Sequence, residues 1–329
     1  MSEEIKQDTS IKTTAEPKKN KRVWEIDFIR GVAILGMVVD HFIFDLSDMQ
    51  DFFCNFAQVN NPFFNTLQRS LAHYYNDPPF IRQYFHNLAV LFFILCGISC
   101  TFSHNNFRHA GKIFLATLII DAATYIIFHI TYAVNPNGAF DFRILFGVLF
   151  SLAMGTLAVA LIQLIPHHKW ILLGLGLSII TYGVLISYLY VLPQQNAMPK
   201  SGTEVWYSIL KLFDTHFYMG LSNPASAPTV FEKIFGLDVK HFFLSMIGLI
   251  DVGSDYFSTL PWIGFTLIGA FIGETAYKDK KSLLPKLDGK WHHFFDWVGS
   301  KTIWIYLFHQ PFNIALMAIV CCPFGYRFF

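Results

Sequence analysis

Three stretches of this chain, residues 144–166, 170–193 and 302–323, contain no lysine, arginine, aspartate or glutamate. Each reaches the ~20 residues a helix needs to cross a hydrocarbon core of about 30 Å. In such a core every backbone amide and carbonyl must be satisfied within the chain, so long apolar runs fold as helices. Only 14% of the 329 residues are charged and 53% are hydrophobic, whereas a soluble domain carries about 25% charged residues. The chain therefore reads as an all-α, polytopic membrane helix bundle.

Seven segments qualify as spans, near 26–46, 84–102, 113–134, 144–166, 170–192, 256–275 and 301–321. Lysine and arginine are retained in cytoplasmic loops, so their placement sets the orientation. They gather before the first span (Lys18, Lys19, Lys21, Arg22), after the second (Arg108, Lys112), after the fourth (Lys169) and most densely after the sixth (Lys278, Lys280, Lys281, Lys286, Lys290). That alternation predicts a cytoplasmic N-terminus and an outer C-terminus. Residues 1–22 are polar and lysine-rich with few aromatics, which predicts a disordered cytoplasmic tail ahead of one membrane domain over 23–323. The outer segments 52–86, 205–221 and 240–250 are aromatic and amphipathic, and are expected to lie in the interface. The net charge of +1 by itself says nothing about partners, no nucleic-acid partner is expected, and the five cysteines match no zinc or haem spacing. Cys96 and Cys100 share a helix face and read as small core residues.

The first span breaks the apolar pattern. Its sequence, IDFIRGVAILGMVVDHFIFDL, carries Asp27, Arg30, Asp40, His41 and Asp45. At about 100° per residue, Asp27, Arg30, Ile34, Met37, His41 and Asp45 fall on one face, with Arg30 and His41 about 16 Å apart along the axis. Each ionisable group at a span's centre opposes insertion by ~2.5–3.5 kcal/mol. A stripe of them has to face the bundle interior or a wet cavity, where such residues are functional candidates by default. Asp27 with Arg30 reads equally well as a structural ion pair. His41 with Asp45 at i+4 is the arrangement of a general base and the carboxylate that orients it. His309, near the middle of the last span, is followed by Gln310 and Pro311, and the proline suits a kink lining a cavity. In GSDYFSTLPWIG, Ser254, Asp255 and Tyr256 mark the outer mouth of the sixth span, and Trp262 reads as an interface anchor or a sugar-stacking surface. Asp255, Tyr256, Trp262 and Gln310 are the candidates for contacting an acceptor.

With these residues in place, the chain resembles the heparan-alpha-glucosaminide N-acetyltransferase-like catalytic domain family, part of a wider superfamily of transmembrane acyltransferases. The resemblance is carried, in order, by WEIDFIRGVAILGMVVDHFIFDL, LFFILCGISCTFSHNN, GSDYFSTLPWIGFTLIG and GSKTIWIYLFHQP, from about Arg22 to about Pro323. It implies transfer of an acetyl or other acyl group from cytosolic acyl-CoA to a sugar amine or hydroxyl of an extracytoplasmic glycan, without a metal, in the cell membrane. It makes His41 the catalytic histidine, sets Arg30 on the donor side, and matches His309 to the family's Tyr-Leu-x-His motif. Asn105, Asn106, Arg108 and Lys112 would meet the CoA phosphates. Relatives usually carry Phe-Gly-Ile-Leu-His in the fourth span, whereas FGVLF here puts Phe150 at the histidine position. The residues alone also fit a transporter or flippase, or an assembly or sensor subunit without chemistry, and they leave oligomerisation open.

Overall fold

The computed structural model describes residues 22–76, 88–134, 143–186, 239–246 and 255–328. The expected tail up to residue 21, the interfacial segment 205–221 and Ser254 lie outside these. Among the described residues the chain is helical with no strand, apart from an isolated antiparallel bridge between Phe53 and Phe328. In chain order the helices are α1 (Trp24–Ser47), the short α2 (Met49–Phe52) and α3 (Phe56–Val59), and α4 (Pro62–Asn76). Next come α5 (Leu88–Phe102), α6 (Asn106–Val134), α7 (Val148–Ile162) and α8 (His168–Ile186). The remainder are α9 (Val239–Met246), α10 (Thr259–Ala276), α11 (His293–Ser300) and α12 (Thr302–Cys321). Every expected span contains a helix. Among the described residues, the stretches Asn106–Ala133, His168–Leu185 and Thr302–Phe324 are long and apolar enough to cross a membrane, and Leu88–Phe102 and Val148–Ile162 are shorter apolar helices.

Polar chemistry sets several helix ends. The Asn105 side-chain carbonyl accepts the Arg108 amide at 2.9 Å and so caps α6. That starts α6 well before the apolar run near 113, with a polar first turn. Packing within the bundle is by close backbone approach. α10 is central and contacts α5, α8 and α7. A Cβ on Gly97 would stand 2.0 Å from the Thr266 carbonyl oxygen, and one on Gly269 2.1 Å from that of Ile94. Apolar helices in lipid gain little by hiding from water, so small residues that let backbones touch supply the association. α1 meets α11 the same way, since a Cβ on Gly31 would lie 2.0 Å from Phe295 O and one on Gly299 1.9 Å from Asp27 O.

The helices alternate in direction, and two ends result. At one end Val23 and Ile26 of α1 pack with Leu95 and Ile98 of α5 and with Tyr277 just past α10. At the other, Met49, Phe53 and Phe64 pack with Met317 and Cys321 of α12 and with Tyr326. The first end holds the exposed lysines of 278–290, Arg108 and Lys112. Apolar side chains such as Leu115, Leu118, Ile119 and Ile130 of α6 and Trp304, Phe308 and Ile319 of α12 face outward, as lipid requires.

Candidate functional site

The polar stripe of α1 is shared between two clusters, one toward each end. Toward the basic end, Arg30 Nη1 donates to Asp27 Oδ1 at 2.7 Å and Nη2 donates to Ser99 Oγ of α5 at 2.8 Å. Ser99 spends its own hydrogen on the Leu95 carbonyl at 2.6 Å, so its oxygen lone pairs are turned to the guanidinium. Arg22 adds a longer contact to Asp27 Oδ2 at 3.7 Å. The Arg30 guanidinium is thus clamped between two helices with three of its five N–H donors still uncommitted to these bonds. The burial of α1 agrees with the helical reading: Ile34, on the striped face, is fully buried, and Val32 and Val39, on the opposite face, are exposed.

Close by, a cleft of about 430 Å³ opens among the ends of α5, α6, α7 and α10, lined by residues including Ser103, His104, Asn105, Asn106, Gln163 and Glu274. A hydrogen-bond chain crosses it. Asn106 Nδ2 donates to the Cys100 carbonyl at 3.1 Å and to Gln163 Oε1 at 2.7 Å, and Gln163 Nε2 donates to Glu274 Oε1 at 2.8 Å. His168 Nε2 lies 3.2 Å from Glu274 Oε2. Asn105 and Asn106 therefore serve first as a cap and an inter-helix link, while the Asn106 Oδ1 is buried with no hydrogen-bond partner among the described residues. Arg108 and Lys112, further along α6, are exposed and are not among the residues that line the cleft.

The second cluster joins α1 to α12. The rings of His41 and His309 meet edge to face with centroids 4.9 Å apart. His309 Nδ1 lies 2.6 Å from the Tyr306 carbonyl oxygen, which only accepts, so Nδ1 carries a hydrogen and the neutral ring presents its lone pair at Nε2. Asp45 is 1% exposed. Its Oδ1 accepts from Gln310 Nε2 at 2.8 Å and its Oδ2 from Asn313 Nδ2 at 3.4 Å. The carboxylate that the sequence pairs with His41 at i,i+4 is thus also held across the helix interface by two amides of α12. Beyond the end of α1, burial and the neighbouring Asp51 push the Asp48 carboxyl above its usual range.

Tyr306 ties this cluster to the α10 entrance, its hydroxyl donating to Asp255 Oδ2 at 3.0 Å. The remaining candidates for acceptor contact are taken up by packing. Tyr256 is 2% exposed and donates its hydroxyl to the Ser245 carbonyl. Trp262 is 3% exposed and stacks on Phe93 at 5.0 Å, inside the core rather than at an interface or a sugar-binding face. Phe150 likewise packs against Phe146 and Phe114.

Four residues of these clusters escaped the sequence reading. Ser99 and Asn313 are ordinary polar residues in apolar helices, and Tyr306 has an unremarkable place in α12. Asp121 did leave a signal, as a lone carboxylate inside the apolar run of α6. Its Oδ1 is buried without a hydrogen-bond partner among the described residues, and it lies within electrostatic reach of Tyr306. No group of three or more His, Cys, Asp or Glu side chains suited to a metal occurs among the described residues.

A family model described as "Heparan-alpha-glucosaminide N-acetyltransferase, catalytic" matches residues 22–311, nearly the whole chain. Comparison with curated proteins and with solved structures found no match.

Proposed function

We infer the function from one premise: the chain belongs to the heparan-alpha-glucosaminide N-acetyltransferase catalytic family. This is an acetyltransferase-type family, and the apolar helices make this member an integral membrane protein. On that premise the 23–323 domain is a multi-pass acyltransferase of the cell membrane. It moves an acetyl or other acyl group from cytosolic acyl-CoA to an amine or hydroxyl of a glycan on the far side. Arg30 stands on the donor side, held by Asp27 and Ser99, Asn106 lines the cleft that would take the charged end of the donor, and Arg108 and Lys112 stand exposed on the same helix. Asp255, bonded to Tyr306, and Gln310, bonded to Asp45, would meet the acceptor.

The observation that carries this reading is the facing pair of His41 and His309 where α1 meets α12. Coenzyme A is large and multiply charged, so only its acyl arm can enter the bundle. His41 takes the proton of the acceptor amine or hydroxyl as the acceptor's nitrogen or oxygen attacks the thioester carbonyl. The carbon–sulfur bond breaks, and the CoA thiolate leaves and recovers the proton from His41. His309, with its tautomer set by Tyr306, offers the second basic nitrogen for that relay.

The experiment uses the purified chain in liposomes with labelled acetyl-CoA and extracted envelope glycans. Label entering glycan supports the enzyme. Glycan or solute crossing the bilayer without CoA turnover assigns a transporter instead.

A further inference from the structure

The stretch from Lys278 to Lys301 forms a surface to which the proposed transfer assigns no role. It carries six exposed lysines, Lys278, Lys280, Lys281, Lys286, Lys290 and Lys301, against Asp279, Asp288 and Asp296. Interleaved with them, Leu283, Leu284, Leu287, Trp291, Phe294 and Trp297 are each between 48% and 62% exposed. A loop in water does not expose so many large apolar groups together, and a segment in hydrocarbon does not carry six lysines. Aromatic residues collect at the membrane–water boundary. Basic residues next to a span are attracted by anionic headgroups. Only the headgroup layer satisfies both halves of this composition.

The surface is also rigidly mounted. Glu25 Oε1 accepts the Leu283 amide at 2.7 Å, and Trp291 Nε1 donates to the Leu287 carbonyl at 2.9 Å. The His292 ring is buried, 2.6 Å from Asp296 Oδ2 through Nδ1, and stacks on Trp24 with centroids 4.2 Å apart. Val298 and Gly299 turn inward against α1. What projects outward is therefore the basic and apolar face, with Asp279 and Asp288 exposed among its lysines.

We propose that residues 278–301 bind anionic phospholipid headgroups of the leaflet at this end of the bundle. The lysines meet the phosphates, and Trp291, Phe294 and Trp297 rest at the acyl boundary. Because α11 presses on the backbone of Asp27 and Gly31, the lipid surface bears on the seat of Arg30. The proposal rests on the membrane fold and is independent of the acyl-transfer reading.

The test places the full chain in nanodiscs of phosphatidylcholine with a minority of phosphatidylglycerol, and counts retained lipid by native mass spectrometry. Phosphatidylglycerol should be enriched over its bulk share. The triple variant Lys278→Gln/Lys280→Gln/Lys281→Gln should lose that enrichment, at about fivefold per lysine. Arg69→Gln, on α4 at the other end, should keep it. Retention at the bulk ratio, or enrichment that survives the triple variant, overturns the proposal. A triple variant that keeps the enrichment but binds acyl-CoA more weakly gives the lysines to the donor and overturns it too. Should the variant fail to insert, salt decides on the unaltered chain, because headgroup attraction is screened within about 10 Å at 0.1 M. Enrichment indifferent to salt would then refute it.

Discussion

The contribution of each of the two facing histidines can be measured. The Tyr306 carbonyl fixes the tautomer of His309, whereas His41 stands on the α1 face that also carries Arg30, about 16 Å along the axis. Replacing either histidine by alanine should lower acyl transfer by roughly 10²–10⁴-fold, the usual cost of a lost general base. Acyl-CoA binding, read by calorimetry, should survive both changes and weaken in Arg30→Ala. A His41→Ala protein that keeps the parent rate would move the base to His309, and rates kept in both would remove the enzyme reading. Asp45 calls for a different experiment, since each of its oxygens accepts from an amide of α12. Asp45→Asn turns one NH₂ group toward those of Gln310 and Asn313, and should cost about 1–3 kcal/mol through an unsatisfied buried group. Thermal unfolding in detergent would show the loss, and adding Asn313→Asp should restore much of it by supplying an acceptor. Equal melting of Asp45→Asn and parent would show that this inter-helix bridge contributes nothing.

Helices in this chain associate where glycines let backbones touch, so small changes in volume are felt there. Gly97→Ala brings a Cβ to 2.0 Å from the Thr266 carbonyl oxygen and should cost about 1–3 kcal/mol as the α5–α10 crossing is forced apart. Gly111→Ala is the matched control, with nothing within 4 Å of its new Cβ, and should be neutral or stabilising by up to ~1 kcal/mol from helix propensity. Temperature-dependent loss of the monodisperse peak on size exclusion would separate them, and identical curves would refute the glycine-contact account. The elements were legible in the sequence because hydropathy is a local signal. The long runs of α6, α8 and α12 stand out without any knowledge of partners. Their ends were less legible, since the first turn of α6 is polar and depends on the Asn105 cap. The site was legible only in part. The stripe on α1 and His309 could be read from spacing, but the pairing of Asp45 with Gln310 joins residues 265 positions apart. Trp262 was placed at a surface by its neighbours in sequence, and its true partner, Phe93, lies in another helix.

Across the whole molecule, charge is divided between the two ends. Arg22, Arg108, Lys112, Lys169 and the lysines of 278–301 share one end, and among the described residues Arg69, Arg143, Lys240 and Arg327 belong to the other. Since basic residues are held back in the cytoplasm during insertion, the first end, where Arg30 is held, should be cytosolic, the side from which the proposed acyl-CoA donor would come. The chain's own cysteines test this without a reporter. Cys54 and Cys322 are exposed at the second end, where the Cys54 amide donates to the Arg327 carbonyl at 3.1 Å, whereas Cys100 and Cys321 are buried. In intact cells a membrane-impermeant maleimide should label Cys54 and Cys322. In a Cys54→Ser/Cys322→Ser background, Lys281→Cys should stay unlabelled until the cells are permeabilised. The reverse pattern would put the Arg30 cluster outside, away from any cytosolic acyl-CoA. The polar path from Arg30 to His41 would then run in the wrong direction for a donor from the cytosol, and the acyltransferase reading would fail with it.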